Sequence, residues 1–203
     1  MKDWTRLDSQ MRRYSPYLKD ELRITPSESN ALATTIAQEI HALPKDAIQA
    51  FLSDSYIQPN DRLDELVAFQ SFMDFANANA SSKNPWLTRA QVITQNYIAF
   101  VYLGDACFKT LRNHTASNSV TKRCCKFLTD NPVRAFRNAV SHANWKYQPD
   151  FSGLIFWARK GSDPNEPLVQ FEVSHSDLEF WQSLARCVAY VAYLEGLQII
   201  GKV

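Results

Sequence analysis

Apolar residues recur at steps of three and four over most of this chain, and the pattern changes to alternation in one place, between about residues 154 and 173. Trp4, Leu7, Met11, Tyr14 and Leu18 follow helical spacing and predict a short amphipathic helix docked on the body. Pro26 closes that stretch, so residues 1–27 read as an extension and 28–203 as a helical domain. Ser27 or Thr25 caps a helix carrying Leu32, Ile36 and Ile40, which ends before Pro44. Pro44 begins another through Ile48, Phe51 and Leu52. Asn60 or Asp61 precedes a further apolar run from Leu63 to Phe75, and residues 77–83 have the composition of a loop.

Asn84-Pro85 is a cap followed by proline, and the helix it starts is expected to reach Arg112. Ile93, Tyr97, Phe100, Val101, Gly104, Phe108 and Leu111 give that helix a wide apolar face, as suits one of two central helices. A connecting helix covers about 119–128. Asn131-Pro132 repeats the cap-plus-proline start, and Val133, Phe136, Val140 and Ala143 then form a buried stripe. Residues 154–158 are aromatic and β-favouring, residues 161–165 carry strong turn chemistry, and residues 169–173 alternate with a period of two. They predict a β-hairpin. Ser174 or Ser176 starts the last helix, with Leu178, Trp181, Leu184, Val188, Val191, Tyr193 and Leu194 on its apolar side. The fold class is mainly α, a helical bundle with a β-hairpin before the last helix.

Composition agrees with that pattern. Hydrophobic residues make up 45% of the 203 positions, enough for a well-formed core. Five glycines fall below the usual share of about 7%, which favours helices over a turn-rich β fold. The formal net charge of +1 neither requires nucleic acid nor excludes a local basic patch. Segments 97–103 and 188–200 are too short, or too near Asp105 and Glu195, to span a membrane. Lys2, Asp3, Arg6 and Asp8 break any leader-like apolar run, and a reducing cytoplasm is the simplest setting.

Cys107, Cys124, Cys125 and Cys187 lack metal-site spacing, and Cys107 and Cys187 fit core positions. His41 and His114 sit where helices run out, which suits the helix dipole, and His175 falls at a helix start. Lys122, Arg123 and Lys126 form a basic cluster that suits either phosphate or solvent.

The polar side of the 131–145 stretch differs in kind from an ordinary solvated face. Arg134, Arg137, Asn138, Ser141 and His142 recur at steps of three and four, with no carboxylate and no lysine among them. Exposed helix faces usually carry Glu and Lys. Arg137-Asn138-Ala139-Val140-Ser141-His142 resembles the R-x4-6-H signature of the HEPN superfamily, in which a polar residue commonly follows the arginine. The order of elements from about residue 28 onward agrees with some HEPN families.

The resemblance implies a helical, usually dimeric fold and a metal-independent ribonuclease with no cofactor, in toxin–antitoxin, phage-defence or CRISPR-linked settings. Other members have lost catalysis and bind RNA, a nucleotide or a protein partner. Cleavage without a metal requires proton transfer at the ribose 2′-OH and at the leaving 5′-oxygen, plus cations for the phosphorane. An imidazole titrates near working pH, with an unperturbed value of about 6.5, and His142 is the proton-transfer candidate. Arg137 would grip the phosphate in its planar fork. Asn138 would orient the imidazole or the phosphate, with Arg134 and Ser141 as further substrate-binding candidates. Asp105 is the one carboxylate considered, in a helix where such a residue usually faces water.

Five residues rotate Arg137 and His142 apart by about 140° at 3.6 residues per turn. A composite site between two copies accommodates that offset, and the resemblance implies such a homodimer. RNA is the implied substrate, and an antitoxin of unknown type is a further implied partner. Some HEPN toxins carry a tyrosine two residues after the histidine, which a partner nucleotidyltransferase modifies. Asn144 stands there, so that partner is not expected.

Overall fold

A computed structural model of the chain describes residues 4–53, 71, 74, 85–159, 161 and 163–201. The described residues form helices and one three-stranded antiparallel sheet, with no helix long and apolar enough to cross a membrane. The expected helix from Leu63 to Phe75 and the loop at 77–83 lie outside the described residues.

The first residues form two short helices, α1 (Thr5–Arg12) and α2 (Ser15–Asp20). Met11 and Leu18 are buried in the core, and Tyr17 stacks on Phe180 with ring centroids 4.8 Å apart. The Tyr17 hydroxyl also donates to Asp177. Thr25 forms a capping box with Glu28 at the start of α3 (Pro26–Asn30), so Pro26 opens a helix where it was expected to close a segment.

The helix expected to run unbroken to Pro44 is split at Ala31, and α4 (Leu32–His41) follows. Ala31 offers α4 no side-chain cap. Asp8 supplies one from α1, accepting from the Ala33 N–H at 2.9 Å. α5 (Lys45–Ser53) begins after Pro44 as its sequence predicts.

The expected single helix from Pro85 to Arg112 is not one regular helix. α6 (Pro85–Asn96) passes into two π-helical segments, Tyr97–Tyr102 and Gly104–Phe108, and then into α7 (Lys109–His114). A π turn takes more residues than an α turn, so the apolar stripe drifts around the axis. Phe100, Phe108 and Leu111 are buried, whereas Ile93 and Tyr97, assigned to the same face by α-helical spacing, are exposed.

α8 (Val120–Thr129) is capped twice. Ser119 accepts from the Lys122 N–H at 3.0 Å, and Glu39 of α4 accepts from the N–H groups of Val120 and Thr121 at 2.8 and 2.7 Å. Asp130 ends α8 and pairs with Arg112 at 2.7 Å.

α9 (Val133–Ser141) follows at once. Asn131 is not its cap and Pro132 is not its first residue; Pro132 occupies the N-cap position. The carbonyls of Asp130 and Pro132 accept from Arg134 and Phe136 at 2.9 and 3.1 Å. Val133, Ala135, Phe136, Ala139 and Val140 are buried, but Ala143 is exposed beyond the helix end and leaves the expected stripe.

That end is a Schellman motif. His142 is the C-cap, Ala143 adopts φ 56°, the Ala143 N–H bonds the Val140 carbonyl at 3.2 Å, and the Asn144 N–H bonds the Ala139 carbonyl at 2.9 Å. The reversal leads straight into β1 (Trp145–Tyr147), a strand that the sequence pattern does not reveal. β1 pairs with β2 (Gly153–Ala158), Trp145 opposite Phe156, and β2 pairs with β3 (Val169–Ser174). The expected hairpin is present as the β2–β3 pair.

Ser174 caps α10 (His175–Ile199) by accepting from the Asp177 N–H at 3.1 Å. Phe180, Leu184, Val188 and Val191 of α10 are fully buried, and Leu194 is on its exposed side with Tyr190.

Phe136 locks α9 in place. Its ring meets Phe100, Phe156 and Trp181 at steep interplanar angles, with centroids 5.6, 5.2 and 5.8 Å away. One side chain thus joins α9 to the first π-helical segment, the sheet and α10.

Candidate active site

The buried side of α9 turns its polar residues outward, but it does not leave all of them idle. The Arg137 side chain is only 25% exposed, and its Nη2 donates to the Asp105 carboxylate. Asp105 lies in the second π-helical segment and also accepts from Lys109. Burial opposes ionisation of Asp105, yet Lys109 and Arg137 outweigh it and hold its pKa below the ordinary aspartate value.

The Arg137 arm runs beside Gly104, where a methyl group would lie 4.0 Å from Cδ of Arg137, an ordinary van der Waals contact. The Arg137 Nε is buried without a hydrogen-bond partner among the described residues. The fork is therefore anchored at one nitrogen and unsatisfied at another.

The remaining candidates are arranged differently. Asn138 is half-buried and Arg134 and His142 are exposed; none of the three makes a side-chain hydrogen bond among the described residues. The exposed Ser141 donates its hydroxyl to the Arg137 carbonyl at 3.0 Å, one turn back on its own helix. No side-chain hydrogen bond joins Arg137, Asn138 and His142 to one another among the described residues. The His142 backbone N–H donates to the Asn138 carbonyl at 3.2 Å, which fixes the imidazole's root at the last turn of α9.

Comparison with protein families, curated proteins and solved structures found no match.

Asp105 was expected to face water, and its pairing with Arg137 is what the sequence pattern did not reveal. The aspartate stands 32 positions before Arg137, beyond any helical spacing rule.

Of the basic cluster, Lys122 and Arg123 are engaged within the fold and Lys126 is exposed. Arg123 bonds Glu28 at 2.6 Å and the Asn118 carbonyl at 2.9 Å, and Lys122 reaches the Thr115 carbonyl at 3.3 Å. His41 lies 2.8 Å from the buried Glu195, and His114 is 2.9 Å from the Thr110 carbonyl. All four cysteines are buried, and burial pushes their thiols up, Cys187 to about 12, so none is poised as a nucleophile. Among the described residues, no group of three or more His, Cys, Asp or Glu could hold a metal ion.

Proposed function

We propose that the protein is an HEPN-like, metal-independent endoribonuclease, and that its active site forms where the α9 surfaces of two copies meet. The observation that supports the reading is the division of labour on α9: one guanidinium set by Asp105, with Arg134 and His142 exposed on the same helix. In the proposed reaction the ribose 2′-oxygen attacks phosphorus and gives up its proton to one His142. The bond to the 5′-oxygen breaks as that oxygen takes a proton from the His142 of the second copy. Arg137 stabilises the charge that grows on the phosphorane oxygens with the part of its guanidinium that stays exposed. The products are a 2′,3′-cyclic phosphate and a 5′-hydroxyl, and DNA is not cut because it lacks the nucleophile. A toxin or phage-defence role in the cytoplasm fits such an activity.

The test is to incubate the purified chain with mixed RNAs in EDTA, wild type beside His142→Ala. The reading expects cleavage by the wild type and strong loss in the variant. Equal cleavage by both overturns the assignment to α9. Light scattering that finds only monomer at micromolar concentration counts against the composite site.

The Asp105–Arg137 pair also favours a second reading. If that contact serves only to join α9 to the π-helical segment, the surface belongs to a non-catalytic module that binds RNA, a nucleotide or a protein partner. Binding without cleavage, equal in wild type and His142→Ala, selects that reading.

A further inference from the structure

A cavity of about 290 Å³ opens between the C-terminal half of α6, β1, β2 and the first two turns of α10. Val92, Leu154 and Leu178 give it apolar walls, and Gln95, His175 and Gln182 are among its polar lining. Its size is just under the roughly 300–1,000 Å³ of typical small-molecule sites, which suits a single ring system.

The polar lining is held in place. Asn96 is 1% exposed, its Nδ2 donates to the Val92 carbonyl at 2.8 Å, and its Oδ1 accepts from Nε2 of Gln182 at 2.9 Å. An amide buried this deeply is costly unless both ends are bonded. Here the two bonds fix the Gln182 amide, whose carbonyl has no partner among the described residues. Gln95 makes no side-chain hydrogen bond among them either. Tyr147 also lines the cavity, with its hydroxyl shielded from solvent and unpaired among the described residues, so the ring and not the hydroxyl is what it offers a ligand.

The lining charge narrows the ligand class. Among the described residues no lysine or arginine lines the cavity, so they offer none of the cations a phosphate needs. Glu179 lines it too, with Oε1 bonded to Arg13 at 3.1 Å. Uncharged amides that both donate and accept, set between apolar walls, suit a flat ring with N–H donors and ring acceptors.

We infer that this cavity binds a nucleobase, carried either by a free nucleoside or by an RNA strand. The inference does not depend on cleavage at α9, although β1 places Tyr147 five residues beyond His142 in the chain.

The experiment is a calorimetric titration of the full chain with each of the four ribonucleosides, using wild type, Gln182→Leu and Gln95→Ala. At least one nucleoside binds the wild type. Removing one uncharged hydrogen bond weakens it by about tenfold or somewhat less in Gln182→Leu and in Gln95→Ala. Gln95→Ala alters an exposed residue and keeps the test decisive if Gln182→Leu fails to fold. A short oligoribonucleotide that displaces the nucleoside identifies the base as strand-borne; failure to displace it identifies a free nucleoside. No binding at millimolar nucleoside, or binding that ignores both cavity substitutions, overturns the inference. Nucleoside binding without RNA cleavage refutes the nuclease reading alone, and cleavage without nucleoside binding refutes the cavity alone.

Discussion

Arg137 and Asp105 meet beside Gly104, and that contact ties the polar side of α9 to a segment whose helix is wound too wide. The carboxylate serves two cations at once, Arg137 and Lys109. Both partners are partly exposed, so the pair is worth no more than about 0.2–1 kcal/mol of stability.

The acid response of Asp105 follows from the direction of its shift. Its folded pKa lies below the ordinary aspartate value of 3.8, so its stabilising contribution is complete above that value and is lost as pH falls through the folded one. Asp105→Asn should therefore be slightly less stable than wild type at neutral pH, with the gap closing below about pH 4. Urea midpoints across that range check it; a gap that widens in acid contradicts the assignment.

Within the proposed site, His142→Ala should lower RNA cleavage by about 10²–10⁴-fold, the usual share of a general acid or base. RNA affinity and folding should change little, because the side chain is exposed and unbonded. Arg137→Ala should weaken both binding and rate, and Arg137→Lys should recover only part of the loss, since an ammonium lacks the planar fork. Gel assays of binding and single-turnover rates separate these effects.

Phe136→Ala should cost about 3–5 kcal/mol, the range for truncating a fully buried phenylalanine. Three aromatic neighbours lose their shared partner. A fall in the urea midpoint at constant slope measures it; a cost below about 1 kcal/mol would show that the cluster does not hold α9.

Ala143 is strained at φ 56°, a conformation that costs a residue with a side chain about 1–2 kcal/mol. Ala143→Gly removes that strain but frees the unfolded chain by about 0.5–1 kcal/mol. The net gain should be small and positive, read as a slight rise in Tm.

These positions also show which parts of the fold the sequence carries locally. Ser119, Thr25 and Ser174 act as caps because their signals lie within three residues of the amides they bond. The alternation of residues 169–173 is equally local. β1 escapes notice because three residues are too few to establish a period. The π-helical segments escape because their apolar residues were spaced by an α-helical rule that does not apply there. Ala143 occupies a place where glycine would have announced the turn. For the candidate site, Arg134, Arg137, Asn138, Ser141 and His142 are legible as one helix side. Their connection to Asp105 is not, because it is made only when two distant helices pack.

The two-residue reversal at Ala143-Asn144 has a further consequence. Side chains on a strand point alternately to opposite faces, so a single inserted residue there would flip Trp145 from the core to solvent. It would also withdraw the ring that Arg89 covers at 4.8 Å. His142 and the sheet are therefore geared together: α9 cannot grow, shrink or turn by one residue without stripping the teeth of β1 against β2.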